Sequence, residues 1–458
     1  MSFKSALLAS ALALGCVAVV QPATAQSLSD ALSAAYNNNP TLLAARASLR
    51  ATDEGVPQAL SGWRPTVSVT GEVGRLTQDY RQTSSSTPDA VITPRTLQLS
   101  VAQPLYRGGR TESATEAAEA LVLAGRQDLA STERRVLLDA VTAYMDVVQN
   151  QAVLDLNRNN EEVLRRQLEA TRERFRVGEI TRTDVAQAES RLSRATADRI
   201  SAEGALISSR AVLARVMGET PGTLVQPPPL PQLPANEEEA LAIAYEDNPD
   251  LLGARFREVA AKHDVRTISG SLLPTVSLNG TATKADETTT SHVDYESAKI
   301  ALSVTVPLYE SGSVYSQTRQ RKQTHNQRRI QVEEQRRSVR QSVTQSWENL
   351  STARSNITAR RAQVEAARIA LEGVQQEAEV GSRTTLDVLD QEQEYLDARV
   401  AEVRARRDEY VAGYTLLSSV GRLGARQLAL PVEYYDPETN YKRVRDKWFG
   451  TDGGLTAD

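Results

Sequence analysis

Asp387 and Asp390 stand three residues apart, a spacing that puts both carboxylates on one face of a helix. Two carboxylates could serve acid–base chemistry, but no nucleophile, metal cluster or substrate-pocket motif accompanies them. Only three histidines occur, His263, His292 and His325, far apart and without metal-ligand spacing. The sole cysteine, Cys16, lies in a segment expected to be removed. The expectation is a protein without catalysis, cofactor or metal. Two roles remain for the pair. Acids at a helix N-terminus are stabilised by its dipole. Repeated around a ring, they would concentrate negative field in a narrow pore and favour cations.

The elements that must position this pair are long helices. Proline is absent from Leu105 to Thr220 and again from Leu308 to Leu430, where Ala, Arg, Glu, Gln and Leu dominate. Residues 110–176 and 313–379 would each form a helix of ~100 Å. Gly178 and Gly381 break them, after Val177 and Val380. Thr183 with Asp184, and Thr385 with Asp387, give good first turns to helices returning to about Met217 and Val420. The apolar stripe (Val136, Leu137, Val141, Tyr144, Val148, Leu154) is narrow and suits seams between neighbouring helices.

The chain states this arrangement twice. Ala35-Tyr36-Asn37-Asn38-Asn39-Pro40 returns as Ala244-Tyr245-Glu246-Asp247-Asn248-Pro249, and Pro104-Leu105-Tyr106 returns as Pro307-Leu308-Tyr309. Offsets of about 209 and about 203 residues mark a duplicated module with a short deletion between the two motifs.

Ahead of each hairpin the period changes to alternation. Val67, Val69, Gly71 and Val73 alternate with polar residues, as do Leu97, Leu99 and Val101, then Val276, Leu278 and Gly280, and Ile300, Leu302, Val304 and Val306. These predict strand pairs at 65–80 with 95–106 and 274–285 with 297–309. Polar loops join them, at 82–89 and 286–291. Trp63, Tyr106 and Tyr309 at the helix-side ends, with Tyr80 and Tyr295 beyond, fit interfacial girdles of a membrane barrel. Four strands cannot close a pore, and an open edge cannot face lipid, so chains must associate. Dimer, trimer and tetramer would give eight, twelve or sixteen strands, and strand count alone does not choose.

Residues 1–25 read as a secretory signal: Lys4, an apolar core from Ala6 to Val20, and Ala23-Thr24-Ala25, with cleavage between Ala25 and Gln26. A lipoprotein reading would instead make Cys16 the mature N-terminus, against an Ala13 where leucine is expected. The organisation is then a first repeat at 26–220, a proline-rich linker at 221–235, a second repeat at 236–424, and a C-terminal segment and tail at 425–458. The hairpins occupy 108–217 and 311–420. Aromatics at 5 % are poor material for one large core, and a formal charge of −5 with interleaved signs speaks against nucleic acid.

Val380-Gly381-Ser382-Arg383-Thr384-Thr385-Leu386-Asp387-Val388-Leu389-Asp390 resembles the hairpin-tip motif of the TolC family of outer membrane efflux proteins. Val177-Gly178-Glu179-Ile180-Thr181-Arg182-Thr183-Asp184-Val185 is its first-copy partner. The closing Tyr435-Asp436-Pro437, Tyr441 and Val444-Arg445-x-Lys447-Trp448-Phe449-Gly450 resembles the branch serving type I protein secretion. The resemblance implies a mainly α fold with membrane β: a homotrimer whose twelve-stranded barrel, four strands per chain, continues as a twelve-helix tunnel. It implies outer membrane lipid around the barrel, and a periplasmic adaptor and an inner-membrane ABC or RND transporter as partners. It makes Asp387 and Asp390 the pore constriction. Arg383 becomes a latch against Thr183 and Asp184, and Val177, Gly178, Val380 and Gly381 the adaptor-docking turns. The family's latch tyrosine is Ala378 here. A multidrug pump component is the alternative duty, and a periplasmic coiled-coil scaffold without a pore a more distant one, which leaves the strands unexplained.

Overall fold

The computed structural model describes residues 26–78, 90–288 and 293–453. The expected signal segment with Ala25 and Cys16, Tyr80, the loop at 82–89, His292 and residues 454–458 lie outside the described residues. The first copy comprises α1 (Leu28–Asn38), α2 (Pro40–Asp53), α3 (Gly55–Leu60), a 3-10 turn at Ser61–Trp63, β1 (Thr66–Val73), β2 (Leu76–Gln78), β3 (Ala90–Ile92), β4 (Arg95–Arg107), α4 (Arg110–Arg176) and α5 (Arg182–Met217). The second repeats the order with α6 (Glu237–Asp247), α7 (Pro249–Ser269), a 3-10 turn at Gly270–Leu272, β5 (Thr275–Asp286), β6 (Tyr295–Thr305), α8 (Ser313–Glu379) and α9 (Thr385–Ser419). A final α10 (Pro437–Val444) follows.

The repeated Asn-Pro step has a structural reason. Asn39 caps α2, accepting from the N–H groups of Thr41 and Leu42, and its amide donates to the Val216 carbonyl at 2.9 Å. Asn248 caps α7 in the same way and donates to the Ser419 carbonyl at 2.9 Å. Each asparagine thus ties the start of one short helix to the end of its copy's returning helix. Both side chains are buried, where an unmade hydrogen bond is costly.

The strands form one antiparallel sheet in the order β1-β4-β5-β6, with β2 and β3 paired separately. Register puts Val67 opposite Val101, Val69 opposite Leu99, Val101 opposite Gly280, and Leu278 opposite Leu302. One face therefore collects the apolar residues, and the other carries Ser68, Ser100, Ser277 and Ser303. The apolar face is uncovered, with Val67 at 64 % and Ile300 at 82 % exposure. No described helix is long and apolar enough to cross a membrane.

Three expectations are corrected. The span 65–80 is not one strand: its ladder breaks after Val73, where Gly74 bonds the carbonyl of Pro94, a residue with no N–H to return. The span 297–309 becomes Tyr295–Thr305, ending short of Pro307, so Tyr309 lies beyond the sheet. Tyr295 pairs with Ala285 and so lies on the polar face, outside any lipid-side girdle. On the first copy's side, a bulge between Pro104 and Tyr106 brings Tyr106 opposite Val276 on the apolar face.

The largest core lies where the short helices wrap the long ones, around Tyr36, Leu42, Leu137, Tyr144, Leu213 and Leu423. The linker is not a free spacer. Tyr144 donates its hydroxyl hydrogen to the Val225 carbonyl at 2.6 Å, and Leu224, Leu230 and Leu233 pack on the core. α10 lies on the first copy, with Asn440 donating to the buried Asp53 at 2.7 Å.

Candidate functional site

The two hairpin tips are built by one device used twice. α4 ends with Val177 at its C-cap and Gly178 at φ +81°; Gly178 donates to the Phe175 carbonyl and Glu179 to that of Arg174. α8 ends with Val380, then Gly381 at φ +79°, with matching bonds to Ala378 and from Ser382 to Glu377. This is the Schellman ending, which needs a left-handed residue after the C-cap. Val177 and Val380 are solvent-exposed beside it.

The returning helices start with capping boxes. The N-caps are Thr181 and Thr384, and Thr183 and Thr385 lie in the first turns that follow, as expected. Thr384 donates its N–H and its hydroxyl to one oxygen of Asp387, each at 2.8 Å, and Asp387 returns its own N–H to Thr384. Thr181 and Asp184 repeat the pattern. The Thr384 backbone N–H, with its hydroxyl, holds the Asp387 carboxyl below the usual carboxylate range, and Thr181 does the same for Asp184. A threonine three residues before an aspartate is the capping-box spacing, and that signal was present in the sequence.

Asp390 pairs with Arg191 of α5, joining the two hairpins within one chain. Beside this pair a small apolar cluster of Leu164, Ala195 and Leu389 locks α4, α5 and α9 together. Arg191 was missed in the sequence, where nothing distinguishes it from the other arginines of the return helix. Arg383 donates to Glu377 of its own tip at 2.8 Å. Within one chain it is not brought to Thr183, which is exposed, or to Asp184, whose carboxylate serves its own cap. The two described histidines work as staples on α7: His263 faces Glu116 of α4 at 2.6 Å and His325 of α8 faces Glu258 at 2.5 Å.

A sheet with one uncovered apolar face and two unpaired edges, carried on hairpins about 100 Å long at 1.5 Å per residue, defines a class. It is an outer membrane channel: a trimeric barrel of twelve strands prolonged by a helical tunnel. The outer membrane efflux protein family matches residues 31–219 and 240–422, and the chain belongs to that family, the TolC family. It is 37 % identical over 451 residues to the outer membrane efflux protein BepC of Brucella suis, covering 98 % of this chain and 96 % of that one. It is 24 % identical over 357 residues to the alkaline protease secretion protein AprF of Pseudomonas aeruginosa, covering 76 % and 74 %. Among solved structures, the outer-membrane channel OprN superposes with a TM-score of 0.74 at 22 % identity, covering 86 % of this chain and 89 % of that one. The protein is a channel, not an enzyme.

Proposed function

We propose that this channel is the exit duct of a tripartite machine for type I protein secretion, fed by an inner-membrane ABC transporter through a periplasmic adaptor. The adaptor docks on the tip turns at Val177, Gly178, Val380 and Gly381. Asp387 and Asp390 from three chains line the constriction, and Arg383 latches it against Thr183 and Asp184 across hairpins. Cleavage before Gln26 releases the mature chain. The duct reading is carried by the two-faced sheet: apolar residues outward and serines inward, continuous with polar helical hairpins. The cargo reading is supported by the closing segment through Trp448-Phe449-Gly450 and by the secretion named for AprF. A multidrug RND or ABC pump is the second reading, favoured by the higher identity to an efflux protein.

Deletion of the gene separates the two. Secretion predicts a protein missing from the culture supernatant, restored by the intact gene, with drug susceptibility unchanged. Sensitisation to several unrelated drugs with an unchanged supernatant would reject secretion in favour of efflux.

A further inference from the structure

The internal repeat places two kinds of junction at the base of the barrel. Within one chain, the turn after β4 (Gly108-Gly109, φ +65° and +70°) rests on the second copy's 3-10 turn. A methyl group at Gly108 would collide with the Gly270 carbonyl and lie 2.9 Å from Leu273 Cβ, and one at Gly270 would collide with the Gly108 carbonyl. Only two glycines allow so close an approach. The turn after β6 has the same backbone, Ser311 at φ 51° and Gly312 at φ 75°. In its own chain a side chain at Gly312 would meet nothing within 4 Å, and Leu308 is 91 % exposed and Tyr309 78 %, with Leu272 alongside them. Barrel closure pairs β6 with β1 of the next protomer, so this turn comes to rest on that protomer's first-copy 3-10 turn, Ser61–Trp63.

At this second junction both close-packing glycines are replaced. Ser311 stands for Gly108 and Ser61 for Gly270. With a Cβ at both positions, the backbones cannot approach as closely as they do at the first junction. The closing segment reaches this place at Lys447 and Trp448. Arg64, next to the 3-10 turn, donates to the Lys447 carbonyl at 2.8 Å and lays its guanidinium 5.0 Å from the Trp448 ring centre. Phe449 stands beside Trp448 at 6.5 Å between centroids and is 85 % exposed.

We propose that Trp448 and Phe449 form an intersubunit wedge, seated on Leu308 and Tyr309 of the neighbouring protomer at the base of the barrel. A lipid leaflet is the other surface that could take an exposed Trp-Phe pair. The position favours protein, because Arg64 sits at the foot of the edge strand that must meet β6. The charge favours it too: Asp446 and Asp452 are exposed beside the pair, and Lys447 is spent on Asp452 at 2.6 Å, which disfavours anionic headgroups.

Cysteine pairs test this in the full chain carrying Cys16→Ser. Each of Trp448 and Phe449 is replaced by cysteine together with Leu308→Cys or Tyr309→Cys, and outer membranes are oxidised. Covalent dimers and trimers that collapse on reduction are expected from at least one pair. None is expected from Phe449→Cys with Leu105→Cys, the first-copy counterpart of Leu308. Trp448→Ala with Phe449→Ala should lower the temperature at which detergent-solubilised trimers dissociate. No crosslink from any of the four pairs in intact trimers overturns the wedge. Quenching of Trp448 fluorescence by bromine-labelled phospholipid, measured with Trp63→Phe and Trp347→Phe, would overturn it in favour of lipid.

Discussion

Asn39 and Asn248 each do two jobs, capping a helix and satisfying a distant carbonyl, so their loss should exceed that of an ordinary cap. An N-cap is worth about 1 kcal/mol and a buried carbonyl left unpaired about 1–3 kcal/mol. Asn248→Ala should therefore destabilise by about 2–4 kcal/mol, and Asn248→Asp, which keeps the cap but cannot donate to Ser419, should fall nearly as far. Thermal unfolding in detergent checks this, and a loss no larger than that of Thr384→Ala would refute the double role. At the proposed constriction, two effects on Asp387 would oppose each other. Like charges on three chains would raise its pKa, whereas Thr384 lowers it through short bonds already present in one chain. A carboxyl whose folded pKa is depressed contributes stability above its unfolded value, near 4, and loses it only as pH falls through the folded value. Asp387 should thus stay charged at pH 5. Cation selectivity in planar bilayers should be equal at pH 7 and pH 5, and should fall in Asp387→Asn with Asp390→Asn. A selectivity lost between pH 7 and 5 would show that repulsion dominates the cap. Arg383→Ser should raise conductance and leave selectivity in place, since its partner Glu377 and the proposed latch lie outside the paired carboxylates.

At the scale of elements, each tip is a Schellman ending, two residues, and a capping box, so its shape depends on the one glycine. A β-branched residue at φ near +80° is an outlier costing more than the roughly 1–2 kcal/mol of an ordinary L-residue there. Gly178→Val and Gly381→Val should abolish export while trimers still reach the outer membrane; normal export in both would remove the tip from adaptor docking. Much of this was legible in advance. The helix spans 110–176 and 313–379 follow from proline-free runs closed by a glycine, because helix boundaries are local events. The face alternation of the strands was equally readable. Strand ends were not, because Pro94 breaks a ladder across from β1, and Thr305 is the last paired residue because it stands opposite Thr275, where β5 begins. The Arg191–Asp390 pair joins residues about 200 apart through the packing of two hairpins, which no local pattern encodes. The linker's docking on Tyr144 is hidden for the same reason: its prolines announce stiffness, but its leucines decide where it lies.

For the whole molecule, the decisive quantity is unpaired backbone. β1 and β6 have one neighbour each, so the outward N–H and C=O groups of an 8-residue and an 11-residue strand lack partners. In lipid each such group costs several kcal/mol, and even a handful exceeds the ~5–15 kcal/mol that holds a typical domain folded. Water could satisfy those edges, but the face carrying Val67, Val69, Leu97, Ile300, Leu302 and Val304 would then be exposed to it. A single chain therefore has no solvent that suits both its edges and its apolar face, whereas three chains paired β1 to β6 leave no edge at all. The same closure turns the polar strand faces inward and stacks six hairpins into one tunnel, so assembly and function depend on the same contacts. Detergent-extracted protein should be trimeric at every concentration at which it retains native circular dichroism, and dilution or heating should pass directly from trimer to unfolded chain. Light scattering combined with circular dichroism decides this: a monodisperse monomer with undiminished helical signal would show that the edges are satisfied within one chain, and the closure argument would fail.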